Sequence, residues 1–253
     1  MRKTAFITGG SRGIGAGIAR VLAANGYDLA ITYRTNPEGA DEVAADCGRL
    51  GAEVLVLQAD VSRVADIDRA FDAFESAFGD RLDLLVNNAG ITRFASILET
   101  DEALFDELNN TDWKGSFFCT KRAAQLMVRR GQGGVVVNIT SNQQQGCWPN
   151  SVVYGPVKAA LRHFTEAAAL NLAPYGIRVV AVAPGYTAVH GPVDPERIRP
   201  ITDRIPIHRF CTPEEVGHAV LYLAGDQAGY ITGTCLALDG GALLPVLAQN
   251  GYV

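Results

Sequence analysis

The amino-acid sequence predicts an α/β fold, a doubly wound parallel sheet with helices on both faces, and three observations predict it. Short apolar runs alternate with helix-period segments along the chain. The runs are hydrophobic nearly throughout, as strands covered on both faces are, and the connections between them are too long for hairpins. The strand-like runs are Thr4–Thr8, Asp28–Tyr33, Glu53–Ala59, Leu82–Asn87, Gly134–Ile139, Arg178–Ala183 and Cys235–Leu238. The helical segments between them are Ile14–Ala24, Pro37–Leu50, Val64–Phe78, Glu102–Arg130, Val153–Ala173 and Pro213–Ala224.

The 253 residues suffice for one large domain, 1–253, and no internal repeat, low-complexity tract or linker divides it. One stretch, Pro184–Thr212, is rich in Pro and Gly and poor in periodicity. An irregular segment of that length inside a compact domain reads as functional, such as a lid over a site. In a sheet of this kind the ligand crevice lies beyond the carboxyl ends of the strands, where strand order reverses.

Composition excludes several function classes. A hydrophobic fraction of 48% with 19% charged residues suits a folded globule rather than a disordered chain. The net charge of −5 gives no electrostatic reason to attract nucleic acid or an anionic membrane. The five cysteines, Cys47, Cys119, Cys147, Cys211 and Cys235, are odd in number and never spaced as a metal-binding pair, which suits reduced thiols. Each reads as a small buried hydrophobe or a bystander. Met1–Thr4 runs straight into a strand with no signal-peptide pattern, and no apolar run approaches the ~20 residues of a membrane span. A cytoplasmic protein without a metal is expected.

The first strand leads through Thr8-Gly9-Gly10-Ser11-Arg12-Gly13-Ile14-Gly15 into a helix. Glycines permit a tight turn and close backbone approach, and the helix's free N–H groups and dipole favour the pyrophosphate of a dinucleotide. Gly9, Ser11, Arg12, Gly13, Ile14 and Gly15 are therefore candidate cofactor residues. The second strand ends at Tyr33-Arg34, where selectivity for NAD would place a carboxylate. Arg34 and Arg12 point instead to an adenosine 2′-phosphate, hence NADP(H), with NAD(H) as the second candidate. Asp60, followed by Val61, either accepts a hydrogen bond from the adenine amine or caps the helix starting near Ser62.

These residues, with Asn87-Asn88-Ala89-Gly90, Ser141, Tyr154-Gly155-Pro156-Val157-Lys158 and Pro184-Gly185 in that order, make the chain resemble the short-chain dehydrogenase/reductase family from Thr4 to about Gly241. The resemblance implies a Rossmann-like domain and an NAD(P)-dependent oxidoreductase. It also implies a homotetramer packed through Glu102–Arg130 and Val153–Ala173. By resemblance, Asn88, Ala89 and Gly90 support the cofactor pocket, while Pro184, Gly185 and Thr187 lie near the nicotinamide. Thr187 comes early, and Val189 stands where the family commonly has a threonine. Trp148-Pro149 and the tail with Pro245 are faintly similar to bacterial glucose dehydrogenases, and 3-oxoacyl-carrier-protein reductases are the other branch considered.

The chemistry expected of these residues is hydride transfer between the cofactor and a small or medium polar carbonyl or secondary alcohol, sugar-like or 3-oxoacyl in type. Tyr154 and Lys158, four apart at the start of a helix, share one face. Reduction needs a proton donor at the developing alkoxide, and oxidation needs the same group as base. A free phenol titrates near ~10, and a neighbouring ammonium favours its ionised form. Ser141 is placed to hold the substrate oxygen. Asp112 falls where the family has an asparagine, and its charge would pull on Lys158. Pro156 is expected in the first turn of its helix, after Asn150 or Ser151 as cap. Gln143, Gln144, Gln145, Trp148, Asn150 and His190 are the expected pocket residues. The rival reading is a non-catalytic dinucleotide-binding redox sensor or scaffold.

Overall fold

The two-sided apolar runs form seven parallel strands of one sheet: β1 (Lys3–Ile7), β2 (Tyr27–Tyr33), β3 (Val54–Gln58), β4 (Leu84–Asn87), β5 (Gly134–Ile139), β6 (Ile177–Pro184) and β7 (Cys235–Leu238). The structure, a computed structural model, describes residues 2–189, 191 and 194–244. The expected pocket residue His190 and the tail residue Pro245 lie outside the described residues. Strand order is β3-β2-β1-β4-β5-β6-β7, so the chain starts at the centre, winds outward to β3, then crosses back to β4. The reversal opens a crevice beyond the carboxyl ends of β1 and β4.

One face of the sheet is covered by α1 (Gly13–Ala24), α2 (Pro37–Arg49) and α8 (Pro213–Ala224), which bury Ile18, Leu22, Val43, Val216 and Val220 against it. The other carries α3 (Val64–Phe78), α5 (Gly115–Arg130) and α6 (Tyr154–Leu172), with Phe71, Phe74, Leu126 and Met127 in its core. Phe6 of β1 stacks on Phe71 at 4.4 Å between ring centroids, fastening α3 to the central strand. Removing either ring would cost about 3–5 kcal/mol through lost transfer energy and a cavity.

Three local expectations differ from the structure. The segment Glu102–Arg130 is not one regular helix: α4 (Glu102–Leu108) passes through a π-helical turn, Asn109–Lys114, into α5. The wider turn accommodates an extra residue, which re-aims the side chains on it and marks many functional sites. Pro184–Thr212 is not wholly irregular, because Asp194 accepts from Glu196 N at 3.1 Å and Pro195 opens a short helix, α7 (Pro195–Thr202). The ends of that segment are tied together by Cys211 N donating to Tyr186 O and Ala188 N to Cys211 O, both at 2.9 Å. Finally, α6 starts at Tyr154 with no side-chain cap. Asn150 takes a left-handed turn instead, and Ser151 Oγ donates to Gln143 Oε1 at 2.5 Å. Pro156 does lie in the first turn, where its missing N–H is harmless.

Among the described residues, no helix is long and apolar enough to cross a membrane, and no cluster of His, Cys, Asp or Glu could hold a metal.

Candidate active site

The glycine turn between β1 and α1 is held from below by the segment after β4. Asn88 Nδ2 donates to the carbonyls of Thr8 and Gly9, both at 2.9 Å, while Asn88 N and Ala89 N both donate to Thr8 Oγ1 at 3.0 Å. Gly9 has φ +68°, which a side chain rarely adopts, and a Cβ on Gly15 would collide with the Gly9 carbonyl and Asn88 Nδ2. Arg12 precedes α1 without a side-chain cap. The N–H groups of Ser11, Arg12, Gly13, Ile14 and Gly15 have no acceptor among the described residues. A row of free donors at a helix N-terminus is what a pyrophosphate requires.

Asn36 Nδ2 donates to Ser11 O at 3.3 Å, so the loop after β2, with Tyr33 and Arg34, lies beside the glycine turn. Arg12 and Arg34 are both exposed and form no ion pair among the described residues. Asp60 is a turn residue, with Oδ1 accepting from Ser62 N at 3.0 Å, and the helix after it starts at Val64 rather than near Ser62. Val61 is buried where its carbonyl approaches Gly115.

At the opposite side of the crevice, Ser141 follows β5, and its Oγ accepts from Gln143 N at 3.2 Å, which leaves the hydroxyl proton free to donate. Tyr154 and Lys158 open α6, both buried. Lys158 Nζ donates to Ile139 O at 3.1 Å, lies 3.0 Å from Asp112 Oδ2, and sits 5.6 Å from the centroid of the Tyr154 ring. The π turn carries Asp112 into this position, where its Oδ1 accepts from Ile91 N at 2.9 Å. Burial works against the Lys158 ammonium, but the Asp112 carboxylate and the Tyr154 oxygen outweigh it, and its pKa is raised above the ordinary lysine value. Gly90 makes room for the pair, since a Cβ there would come within 2.8 Å of Asp112 Oδ2.

A family model described as enoyl-(acyl carrier protein) reductase matches residues 9–242. The chain is 36% identical to 3beta-hydroxysteroid dehydrogenase 1 of Eggerthella lenta, covering 96% of this chain and 94% of that protein. It is 35% identical to a 3-oxoacyl-[acyl-carrier-protein] reductase of Staphylococcus aureus, covering 95% and 98%. Among solved structures, a short-chain dehydrogenase/reductase from Serratia marcescens superposes with a TM-score of 0.90 at 35% identity, covering 95% of this chain and 97% of that one. Acetoin dehydrogenase from Enterobacter cloacae gives 0.91 at 32%, covering 98% of each. The chain belongs to the short-chain dehydrogenase/reductase family.

As a short-chain dehydrogenase/reductase it is an NAD(P)-dependent oxidoreductase acting on small molecules, and the crevice fits such a cofactor. The unpaired amides of residues 11–15 suit the phosphates, and a cavity of about 270 Å³ adjoins them, lined by Ile14, Ser141, Tyr154, Gly185 and Thr187 among others. Gly185 N donates to Leu238 O at 3.0 Å, and Thr187 Oγ1 to Gly185 O at 3.2 Å, which fixes the bend after Pro184. Val189 packs close to Gly13, closing the near end.

Of the polar residues expected in the pocket of this dehydrogenase/reductase, Gln143 and Trp148 line the cavity. Gln144 turns away to donate to Cys235 Sγ at 3.1 Å, Gln145 is exposed, and Asn150 sits in a turn. Thr92, Phe94, Asn142 and Tyr186 also line it and were not legible as site residues. Phe94 is brought there because Ala95 N donates to Asn150 O at 2.8 Å, pairing two loops that no sequence spacing connects. Asn87 is a structural residue, buried and donating to Asn138 Oδ1 at 2.8 Å and Thr120 Oγ1 at 3.0 Å.

Proposed function

We propose that this short-chain dehydrogenase/reductase is an NADP(H)-preferring enzyme that interconverts a small or medium ketone and its secondary alcohol, with Tyr154 as the proton donor and acceptor. The observation that carries the reading is that Ser141 and Tyr154 line one cavity beside an uncapped glycine turn, with the Lys158 ammonium 5.6 Å from the centroid of the Tyr154 ring. When bound, the nicotinamide supplies or takes the hydride. Ser141 Oγ donates to the substrate oxygen and holds it near Tyr154 Oη, which gives up its proton as negative charge develops on that oxygen. The Lys158 ammonium, kept charged by Asp112, favours the phenolate left behind. In the reverse direction the same phenolate removes the hydroxyl proton.

The preference for the phosphorylated dinucleotide rests on Arg12 and Arg34, two exposed guanidinium groups on adjoining loops that no carboxylate occupies among the described residues. Residues 184–212, whose ends are tied by the Tyr186, Ala188 and Cys211 backbone bonds and which line the cavity at Tyr186, act as the lid of a single catalytic domain. Assembly as a homotetramer through α5 and α6 is supported by Phe117, on α5, and Leu170, on α6, both exposed. A cytoplasmic setting suits the five free cysteines.

The test is nicotinamide absorbance with a panel of sugars, ketones and acyl thioesters under NADPH and NADH. Turnover that is faster with NADPH supports the proposal. Tight dinucleotide binding with silence across the panel points instead to a redox sensor.

A further inference from the structure

The cavity beside Tyr154 is walled by rings. Phe94 stands edge-on to Tyr154, with ring centroids 6.4 Å apart and planes at 75°, and is 55% exposed although its ring faces a cleft. Trp148 and Tyr186 line the same cavity; Trp148 Nε1 donates to Tyr186 Oη at 3.2 Å, and Tyr186 stacks on Phe210 at 5.4 Å and 16°. The hydrogen bond ties together two rings from different loops, and the stack backs one of them, which lowers the ordering a ligand must impose on this wall. Aromatic faces and edges set in place in this way favour another flat ring in stacked or edge-to-face contact. Water gains little from such a surface, and an exposed phenylalanine beside the reactive phenol costs solvation unless something covers it.

Charge selects further. None of the described residues lining the cavity is Asp, Glu, Lys, Arg or His, so a carboxylate or phosphate on the substrate would lose hydration without gaining a partner. Its volume of about 270 Å³ falls just below the roughly 300–1,000 Å³ of ligand clefts.

We infer that the preferred substrate is an uncharged ketone, or the matching secondary alcohol, whose reacting carbon carries a single flat ring that packs against the lining rings Phe94, Trp148 and Tyr186. This narrows the substrate to something less polar than the sequence implies, and it rests on the hydride-transfer reading of the same cavity. In the reducing direction the carbonyl carbon gains the hydride of the reduced dinucleotide and the oxygen gains the Tyr154 proton, so the dinucleotide is the only species oxidised.

The test compares acetophenone, methyl hexyl ketone with the same number of carbons, and the para-carboxylate of acetophenone, all with NADPH. The expected order is a kcat/KM about tenfold higher for acetophenone than for the chain ketone, and about tenfold lower for the carboxylate. Phe94→Ala and Trp148→Ala should each erase most of the ring preference through KM, with the dinucleotide Kd unchanged, while Trp148→Phe, which keeps a ring but loses the Tyr186 hydrogen bond, should retain part of it. Equal or better turnover of the chain ketone overturns the inference and leaves hydride transfer standing. If no carbonyl turns over, hydride transfer is overturned and binding decides the inference: saturation-transfer NMR of the alcohol of acetophenone against the protein with NADP⁺ supports it if contacts vanish in Phe94→Ala, and overturns it if the wild type shows none.

Discussion

Asp112 Oδ2 and Lys158 Nζ face each other at 3.0 Å with both side chains closed off from solvent, beside the ring of Tyr154. The carboxylate sits on a π turn and the ammonium at the start of the second turn of α6, so the pair joins two helices at the point where the chemistry is expected. A buried charge pair of this kind costs desolvation on both sides, and breaking it by removing one partner is worse than never having made it.

Asp112→Asn should therefore move the alkaline limb of the kcat/KM profile to lower pH, because Lys158 keeps its burial but loses the carboxylate that raises its pKa. The sign for stability follows from the same shift. With the folded value above the ordinary 10.5, the pair stabilises fully below that pH, and the contribution disappears as pH climbs through the raised value. An unchanged pH profile in the variant would show that Asp112 does not act on Lys158. Asp112→Ala, which leaves the ammonium buried without any partner, should lose about 3–5 kcal/mol in denaturant unfolding at neutral pH.

Tyr154→Phe should lower kcat by about 10²–10⁴, the usual worth of a positioned proton donor, while leaving the dinucleotide Kd within a factor of about two. Stopped-flow absorbance and fluorescence titration read the two quantities separately. A variant that retains wild-type turnover would remove Tyr154 from the reaction.

Arg12→Ala and Arg34→Ala should each raise the KM for NADPH about tenfold, the value of one charge-assisted contact, and leave the KM for NADH nearly unchanged. Both guanidinium groups are exposed, so folding should not suffer, which thermal melts would verify. Equal effects on the two dinucleotides would place the arginines on the shared pyrophosphate instead.

Glu215 closes a capping box at the start of α8: Thr212 Oγ1 accepts from Glu215 N at 3.2 Å, and Glu215 Oε2 accepts from Thr212 N at 2.8 Å and from Arg209. The Arg209 hydrogen bonds, then the backbone one, hold its pKa down to about 2. Its contribution is thus present above the ordinary 4.5 and lost as pH falls toward about 2. Melting temperatures of wild type and Glu215→Gln should differ at neutral pH and converge in that acid window. Thr212→Ala should cost about 1 kcal/mol at any pH where α8 is folded.

The sheet was legible because strands covered on both sides must be apolar throughout, and that pattern needs no knowledge of neighbours. The glycine turn was legible for a similar reason, since Gly9 and Gly15 answer to backbone angle and close approach within a few residues. Tyr154 and Lys158 were readable as one face because α-helical spacing fixes their relation locally. The break at Asn109–Lys114 was not, because a π turn and a regular helix share nearly the same apolar period.

Sequence alone thus determined which residue types stand at strand ends and helix starts, and with them the family and the reaction class. Sequence already set the Asp112 charge against Lys158; only the tertiary structure decided that a π turn brings them to 3.0 Å, that Phe94 stands edge-on to Tyr154, and that Trp148 is bonded to Tyr186. Those contacts join segments distant along the chain. Their meeting depends on the path of the backbone around the sheet, and local periodicity carries no record of that path.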